Sequence, residues 1–428
     1  MIRAALPVAF ALLAATPAAA QAPDTLTIGE VLAAARTRDP RLAQLALERA
    51  RSSLRLRTIS ADRLPSVRIS AQAQHQSEVT SLGGSLPGDP PVAFPRPSRD
   101  TYDARLDVRQ PLFDPTVGPR RALERAGLAE SEARLEVTLH ALRIEAIEAF
   151  FAAALMQERV SAIEATIAGL EAALEMAGAR VREGTALRSE ESGLRAELLR
   201  RRQDADEARA ERSAALEIVG ELTGIAIASD AVLDAQHARD GAVPDSIARP
   251  ELQLFARSRD RLLMRERAFA AADLPRLTAF GRAGYGRPGL NLLGDEFGGW
   301  WLGGLQLEWS PRLWGGERRE RELVRLESDI VETEEAAFRA SVARATARDS
   351  AAMGRLARAL ELDEEIVRLR EEVERETRLR FVEGVVTSAE LVDRNSDVLA
   401  ARITRASHAI ELGRARARYL TLLGQEVD

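Results

Sequence analysis

Residues able to do chemistry are few in this sequence and badly placed for it. Cysteine is absent from all 428 residues, which removes thiolate metal sites, a cysteine nucleophile, a disulfide scaffold and a lipid attached through an N-terminal cysteine. The four histidines, His75, His140, His237 and His408, never stand in helical pairs and offer little to a zinc or triad enzyme. Gly281-Arg-Ala-Gly-Tyr-Gly286 has the look of a phosphate-cradling loop, but it falls inside an alternating run with no helix opening after it. Small residues that relieve strand crowding or face a lumen explain it better. The acidic runs Asp363-Glu-Glu365 and Glu371-Glu-Val-Glu374 read as solvated helix faces. One carboxylate arrangement stands out: Glu390 and Asp393, three apart and therefore on one helical face, with Glu190 at the matching place of an earlier, similar stretch. No residue set suggests catalysis, and no cofactor or metal is expected.

The elements that position these residues must be mostly helical. Every one of the 60 basic residues is arginine, aromatics make up 4%, and Ala, Leu, Glu and Arg are in excess, as in long helices and coiled coils. A net charge of −6 lacks the basic balance of a nucleic-acid-binding protein, so no nucleic-acid partner is expected. Residues 1–20 read as a signal peptide, with a basic start at Arg3, an apolar stretch over 4–15 and Ala18-Ala-Ala20 before Gln21. No later stretch is as long and apolar as a membrane-spanning helix, so any insertion must use strands.

The chain is written twice. Pro40-Arg-Leu42 is echoed by Pro250-Glu-Leu252, and Leu64-Pro65 by Leu274-Pro275, both at an offset of 210. Leu112-Phe113 matches Leu313-Trp314 at 201, while Arg180-Val-Arg-Glu-Gly184 matches Arg380-Phe-Val-Glu-Gly384 and Leu222-Thr-Gly224 matches Leu422-Leu-Gly424 at 200. This order defines a first repeat over 24–224, a linker over 225–249, a second repeat over 250–424 and a tail over 425–428.

Within each repeat the order is helix, strand, loop, strand, long helix, turn, helix. Residues 117–182 carry Leu128, Leu135, Leu142, Ala149, Met156, Ile163, Leu170 and Ala177 every seventh place, with Leu139, Ala146, Ala153, Val160, Ile167, Leu174 and Val181 four residues later. That is a coiled-coil seam. The second copy keeps the spacing in Leu362, Ile366, Leu369 and Val373. At 1.5 Å per residue the long helix spans roughly 99 Å, close to the summed length of the helices over 40–64 and 186–222, which predicts an antiparallel sheaf turning at Gly184 and Gly384. Strands are predicted at about 66–75, 101–110, 276–286 and 300–309, each alternating an apolar with a polar face over the length of a tilted transmembrane strand. A soluble four-stranded sheet would alternate in the same way.

The plan resembles the TolC-type outer-membrane efflux protein family over nearly the whole chain from about residue 27 to 424. The resemblance is carried by Leu26-Thr-Ile-Gly-Glu-Val-Leu-Ala-Ala-Ala35, Asp39-Pro40-Arg-Leu42, Gln110-Pro-Leu-Phe113, Pro311-Arg-Leu-Trp-Gly-Gly316 and the paired Glu-Gly and Leu-x-Gly motifs. It implies a mainly α fold with a transmembrane β part: long antiparallel coiled-coil helices forming a periplasmic α-barrel, and four strands given to a trimeric 12-stranded outer-membrane β-barrel. It implies an exit duct of a tripartite efflux pump or type I secretion system, a homotrimer in contact with outer-membrane lipid, a periplasmic adaptor (membrane fusion) protein and an inner-membrane pump. The location implied is the outer membrane of a Gram-negative-type bacterium, without a lipid anchor. Glu390, Asp393 and Glu190 would form the periplasmic constriction, and Glu183, Gly184, Thr185, Ala186, Glu383, Gly384, Val385 and Val386 the adaptor-docking turns. Val67, Ile69, Leu106, Val108, Leu277, Tyr285, Trp301, Leu305, Leu307 and Trp309 would face lipid. Val386 departs from well-known members, which carry a basic residue there; Arg188 or Arg394 could substitute. A periplasmic coiled-coil or adaptor-like protein without membrane strands is the alternative.

Overall fold

A computed structural model describes residues 25–79, 85–86, 92–93, 98–235, 246–290, 296–311 and 315–427. The signal-peptide segment, Leu313-Trp314, His237, and parts of the linker and of the strand-joining loops lie outside the described residues. In chain order the elements are β1 (Thr25–Thr27), α1 (Ile28–Arg38), α2 (Leu42–Ala61), β2 (Ser66–His75), the short β3 (Ser85–Leu86) and β4 (Val92–Ala93), β5 (Asp100–Phe113) and α3 (Val117–Arg182). They continue with α4 (Arg188–Thr223), β6 (Val232–Asp234), α5 (Pro250–Ala272), β7 (Arg276–Arg287), β8 (Gly298–Glu308), α6 (Gly316–Val382) and α7 (Ser388–Leu423). The chain is mainly helical with a small sheet part, as expected, and α3 occupies the span of the heptad pattern. Among the described residues no helix is long and apolar enough to cross a membrane.

Contacts divide the chain into two compact units that cut across the repeats, each taking pieces of both. One consists of the described residues of Met1–Asp39, Leu142–Ser246 and Thr346–Asp428; the other of Pro40–Ala141 and Ile247–Ala345.

In the first unit the seam of α3 is buried where the heptads place it, at Leu142, Ala146, Ala149, Ala153, Ile163, Leu170 and Ala177. Ile147, Phe150 and Phe151 widen it, the two rings meeting edge to face at 5.3 Å. Around them collect Leu26 of β1, Ile28, Val31 and Leu32 of α1, Leu233 of β6, and Ile410, Ala417 and Val427 from the end of the chain. A capping box starts α1: Thr27 Oγ1 accepts from the Glu30 amide at 3.3 Å and the Glu30 carboxylate accepts from the Thr27 amide at 2.9 Å. Strands β1 and β6 pair in parallel, Leu26 opposite Leu233. The side-chain amide of Gln157 closes the free side of β6, donating to the Leu233 carbonyl at 3.2 Å and accepting from its amide at 2.9 Å. The linker thus contains a strand with one buried residue, Leu233, and the tail is packed as well: Val427 is buried and Arg143 donates to the Gln425 carbonyl at 2.8 Å.

In the second unit β2, β5, β7 and β8 form an antiparallel sheet in that order. The ladder from β5 to β7 shifts between Pro111 and Phe113, where proline lacks the amide that pairing needs. Helices below the sheet are laced by ion pairs, among them Arg49 with Glu132 at 2.7 Å, Arg120 with Asp62 at 2.6 Å, Arg265 with Glu327 at 2.6 Å, and Arg259 with Glu335 at 2.5 Å.

Candidate functional site

Two features of this chain can interact with something outside it: the paired turns of the long hairpins, and one face of the sheet. Each hairpin turn is a Schellman closure around a left-handed glycine. Gly184 has φ of 73° and Gly384 of 79°. Thr185 donates its amide to the Arg180 carbonyl and Val385 its amide to the Arg380 carbonyl, both at 2.9 Å, which satisfies helix-end carbonyls in the two repeats alike. The following helices are capped differently. Thr387 accepts the Glu390 amide on its hydroxyl at 3.3 Å, whereas Leu187 at the matching place has no such group. Glu183, Gly184, Thr185, Glu383, Gly384 and Val385 are exposed, while Ala186 and Val386 are half-buried.

The turns rest on a shared apolar cluster of Leu170, Ala173 and Ala177 from α3, Leu194 and Leu198 from α4, Phe381 from α6 and Leu391 from α7. Val386 packs against this cluster. Each hairpin is braced by the same ion pair: Glu171 with Arg202 at 2.7 Å, and, two hundred residues on, Glu371 with Arg402 at 2.6 Å. Between the hairpins Arg201 donates to Ser396 Oγ at 3.0 Å.

One arginine joins the two turns. Arg180 donates from Nη1 to the Phe381 carbonyl at 2.9 Å and stacks its guanidinium 5.7 Å from the centre of the Phe381 ring. A Cβ on Gly384 would stand 2.8 Å from Arg180 Nη2, so a larger residue there would displace the guanidinium, while the left-handed φ itself favours glycine. Arg180 was not among the residues expected to matter, although the motif containing it is one of the matched landmarks.

Glu390 and Asp393 are both exposed on α7, with the fully buried Leu391 between them pointing into the turn cluster. Their face is therefore turned away from the chain's own core. Asp393 corresponds to Gly193 in the first repeat, so the carboxylate pair belongs to the second repeat alone, and Glu190 is half-buried in the first turn of α4. Arg394 is engaged with Asp397 at 3.0 Å, and Arg370 meets the same carboxylate at 2.8 Å. Among the described residues no cluster of His, Asp or Glu could hold a metal ion.

The sheet register settles which strand residues share a side. Ile69 lies opposite Leu106, Leu106 opposite Ala283, and Ala283 opposite Trp301. Val67 opposes Val108, Ala104 opposes Tyr285, and Leu277 and Ala279 oppose Leu307 and Leu305. With side chains alternating along each strand, the nine expected residues from Val67 to Leu307 therefore fall on one face. That face is open: Ile69 is 81% and Trp301 79% exposed. Trp309, just past β8, donates its indole N–H to the Asp273 carbonyl at 3.0 Å. Phe297 stacks between Tyr102 and Tyr285 at 5.9 Å from each, near the other end. The opposite face carries Arg282 with Asp107 at 2.8 Å and Arg105 with Asp107 at 3.3 Å. Gly284 makes room there: a Cβ would stand 2.6 Å from the ring of Trp300, its direct partner on β8, so the glycine-rich motif relieves crowding and forms no phosphate loop.

A sequence profile described as "Outer membrane efflux protein" matches residues 31–224, nearly the whole first repeat. Over that stretch the chain is similar to the outer membrane efflux protein family. A search of curated protein sequences finds no match. Among solved structures, CusC aligns with a TM-score of 0.67 at 14% identity over 93% of this chain and 92% of its own, in a study of transmembrane channel formation. The Neisseria gonorrhoeae MtrE outer membrane channel in its open state aligns at 0.66, with 18% identity over 94% and 89%. The Campylobacter jejuni CmeC outer membrane channel aligns at 0.64, with 13% identity over 94% and 86%. At these identities the structures speak for the fold, and that fold covers both repeats, including the second, which the profile does not reach. MtrE and CmeC are both outer membrane channels.

Proposed function

We propose that three copies of this chain form an exit duct that passively conducts substrates from a periplasmic adaptor and inner-membrane pump to the exterior, in a tripartite efflux pump or type I secretion system. The observation that carries this reading is the one-faced sheet with two open edges. β2 and β8 each have a single sheet neighbour, and unpaired strand edges are not tolerated in hydrocarbon. Four strands cannot close alone, whereas three copies supply twelve, enough for a polar-lined channel. Apolar residues on one face and ion pairs on the other suit lipid outside and water inside. The distance fits as well: the eleven residues of β8 run for roughly 34 Å, which a tilt of about 40° reduces to about 26 Å, near the ~25 Å apolar band of such barrels. Aromatic side chains at both ends of that face, Tyr102, Tyr285 and Phe297 at one and Trp309 at the other, match interfacial girdles. In this reading Glu390, Asp393 and Glu190 become carboxylate rings at the periplasmic entrance, and the exposed turn residues at 183–186 and 383–386 receive the adaptor. Outer-membrane fractionation and a mass in detergent close to three times that of the 46.7 kDa chain test it. A monodisperse single chain, or release from membranes without detergent, would refute it.

A further inference from the structure

We infer that Arg380 of one copy closes onto the first-repeat turn of the next, its guanidinium donating to the Val181 carbonyl beside Gly184, as Arg180 does within the chain to Phe381 beside Gly384. The inference rests on the trimeric reading above and names the contact that joins neighbouring copies at their turns.

The two turns are built alike, and only one of them is used within a single copy. Arg180 and Arg380 each stand four residues before a left-handed glycine. Arg180 is engaged with the second repeat at 2.9 Å. The Arg380 side chain is 60% exposed and, among the described residues, forms an ion pair with Glu376 at 3.8 Å on its own helix. At Gly384 the space of a missing Cβ is filled by the Arg180 guanidinium, 2.8 Å away; at Gly184, among the described residues, no atom lies within 4 Å of that place. The same pocket is therefore formed twice and entered once. The Val181 carbonyl stands at the C-terminal end of α3, where partial negative charge favours a cation.

The flanking helix faces repeat this asymmetry. Leu362, Ile366, Leu369 and Val373 form an apolar stripe on α6, spaced four, three and four apart, and all are exposed. Their counterparts two hundred residues earlier are Ala162, Thr166, Gly169 and Ala173, which are half-buried or buried. The second repeat lies over that stretch of α3: Arg378 Nη2 is 3.0 Å from the place a Cβ on Gly169 would take. The face that the first repeat presents to the second is thus covered, and the matching face of the second repeat awaits a first repeat. A chain has only one, so another copy must supply it.

Because the chain lacks cysteine, introduced thiols are the only ones present. The full-length protein purified in detergent carries either Arg180→Cys with Val385→Cys, the internal contact, or Arg380→Cys with Thr185→Cys, its mirror, and is treated with a short bismaleimide. The internal pair should leave monomer mobility on denaturing gels, and the mirror pair should shift most of the protein to covalent dimers and trimers. Monomer mobility for the mirror pair in a preparation that light scattering shows to be trimeric would overturn the latch and leave the channel reading standing. Absence of any trimer in the unmodified protein would overturn both. Arg380→Ala, which needs no crosslink, should raise conductance of the resting channel in planar bilayers several-fold, and unchanged conductance counts against the latch.

Discussion

Arginine placed along the apolar sheet face should cost stability in proportion to depth, and the register sets the expected depths. The middle of β8 is Gly303. Leu305 lies two residues to one side and Trp301 two residues to the other. Two residues are about 7 Å of strand and, at a tilt near 40°, about 5 Å of bilayer depth. Leu307 is twice as far out, about 10 Å from the middle of a ~25 Å band and so close to its edge. Trp301→Arg and Leu305→Arg should therefore each cost about 2 kcal/mol, and Leu307→Arg no more than about 1. Gln306→Arg, on the other face of the same strand, should stay within about 0.5 kcal/mol. Urea unfolding of protein refolded into lipid vesicles reads these differences directly. Equal costs at 305, 306 and 307 would show that this face does not meet a bilayer. All four variants within the last limit would instead support a sheet standing in water.

Replacing both Glu390 and Asp393 with alanine should weaken cation selectivity and divalent-ion block in planar bilayers, since carboxylate rings favour cations; unchanged currents would remove these residues from the constriction. Gly384→Ala should destabilise more than Gly184→Ala in chemical denaturation: both pay about 1–2 kcal/mol for a left-handed alanine, but only the first displaces Arg180. Gln157→Leu strands the amide and carbonyl of Leu233 and should lower the melting temperature with a loss of roughly 1–3 kcal/mol, whereas Gln157→Glu should restore the acceptor half alone. Hydrogen bonds from Arg259 and Arg339 hold the Glu335 carboxyl below the ordinary glutamate value. That pair's contribution is complete above the ordinary glutamate pKa and is lost as pH falls through the lowered folded value. Arg259→Met should accordingly narrow the stability difference between neutral and acid pH, measured by denaturant midpoints.

Elements with many periodic residues were legible in the sequence. The body of α3 follows from fifteen heptad-spaced apolar positions between Leu128 and Val181, and β2 and β7 from alternation after the breaks at Pro65 and Pro275. Strands β1 and β6 were not legible, because three residues with one buried leucine apiece carry no period; they exist only because each finds the other across the chain. Arg180 was missed for a related reason. Its motif was visible, but its partner carbonyl lies 201 residues away, and no local spacing reports that. The carboxylates Glu390 and Asp393 are exposed on α7, and their proposed role depends on neighbours that a single sequence does not contain.

The unit that holds β1 and β6 is sewn from three separated stretches of chain, and its core takes Leu26 from near the start and Val427 from the very end. Such a core cannot be completed while the chain is still emerging, and its contacts are among the most distant in sequence that this protein makes. Long-range closure of this kind is slow. During that interval the core around Phe150 and Phe151 has its first-repeat neighbours, such as Ile28, Val31 and Val219, but lacks Ile410, Ala417 and Val427. A chain cut after the first repeat would leave that side of the core open, so half-length products should be sticky and quickly degraded rather than stable half-channels. The duplication visible in the sequence is thus not a pair of independent folding modules: residues after the second repeat's long helix act as the closing stitch for the first repeat.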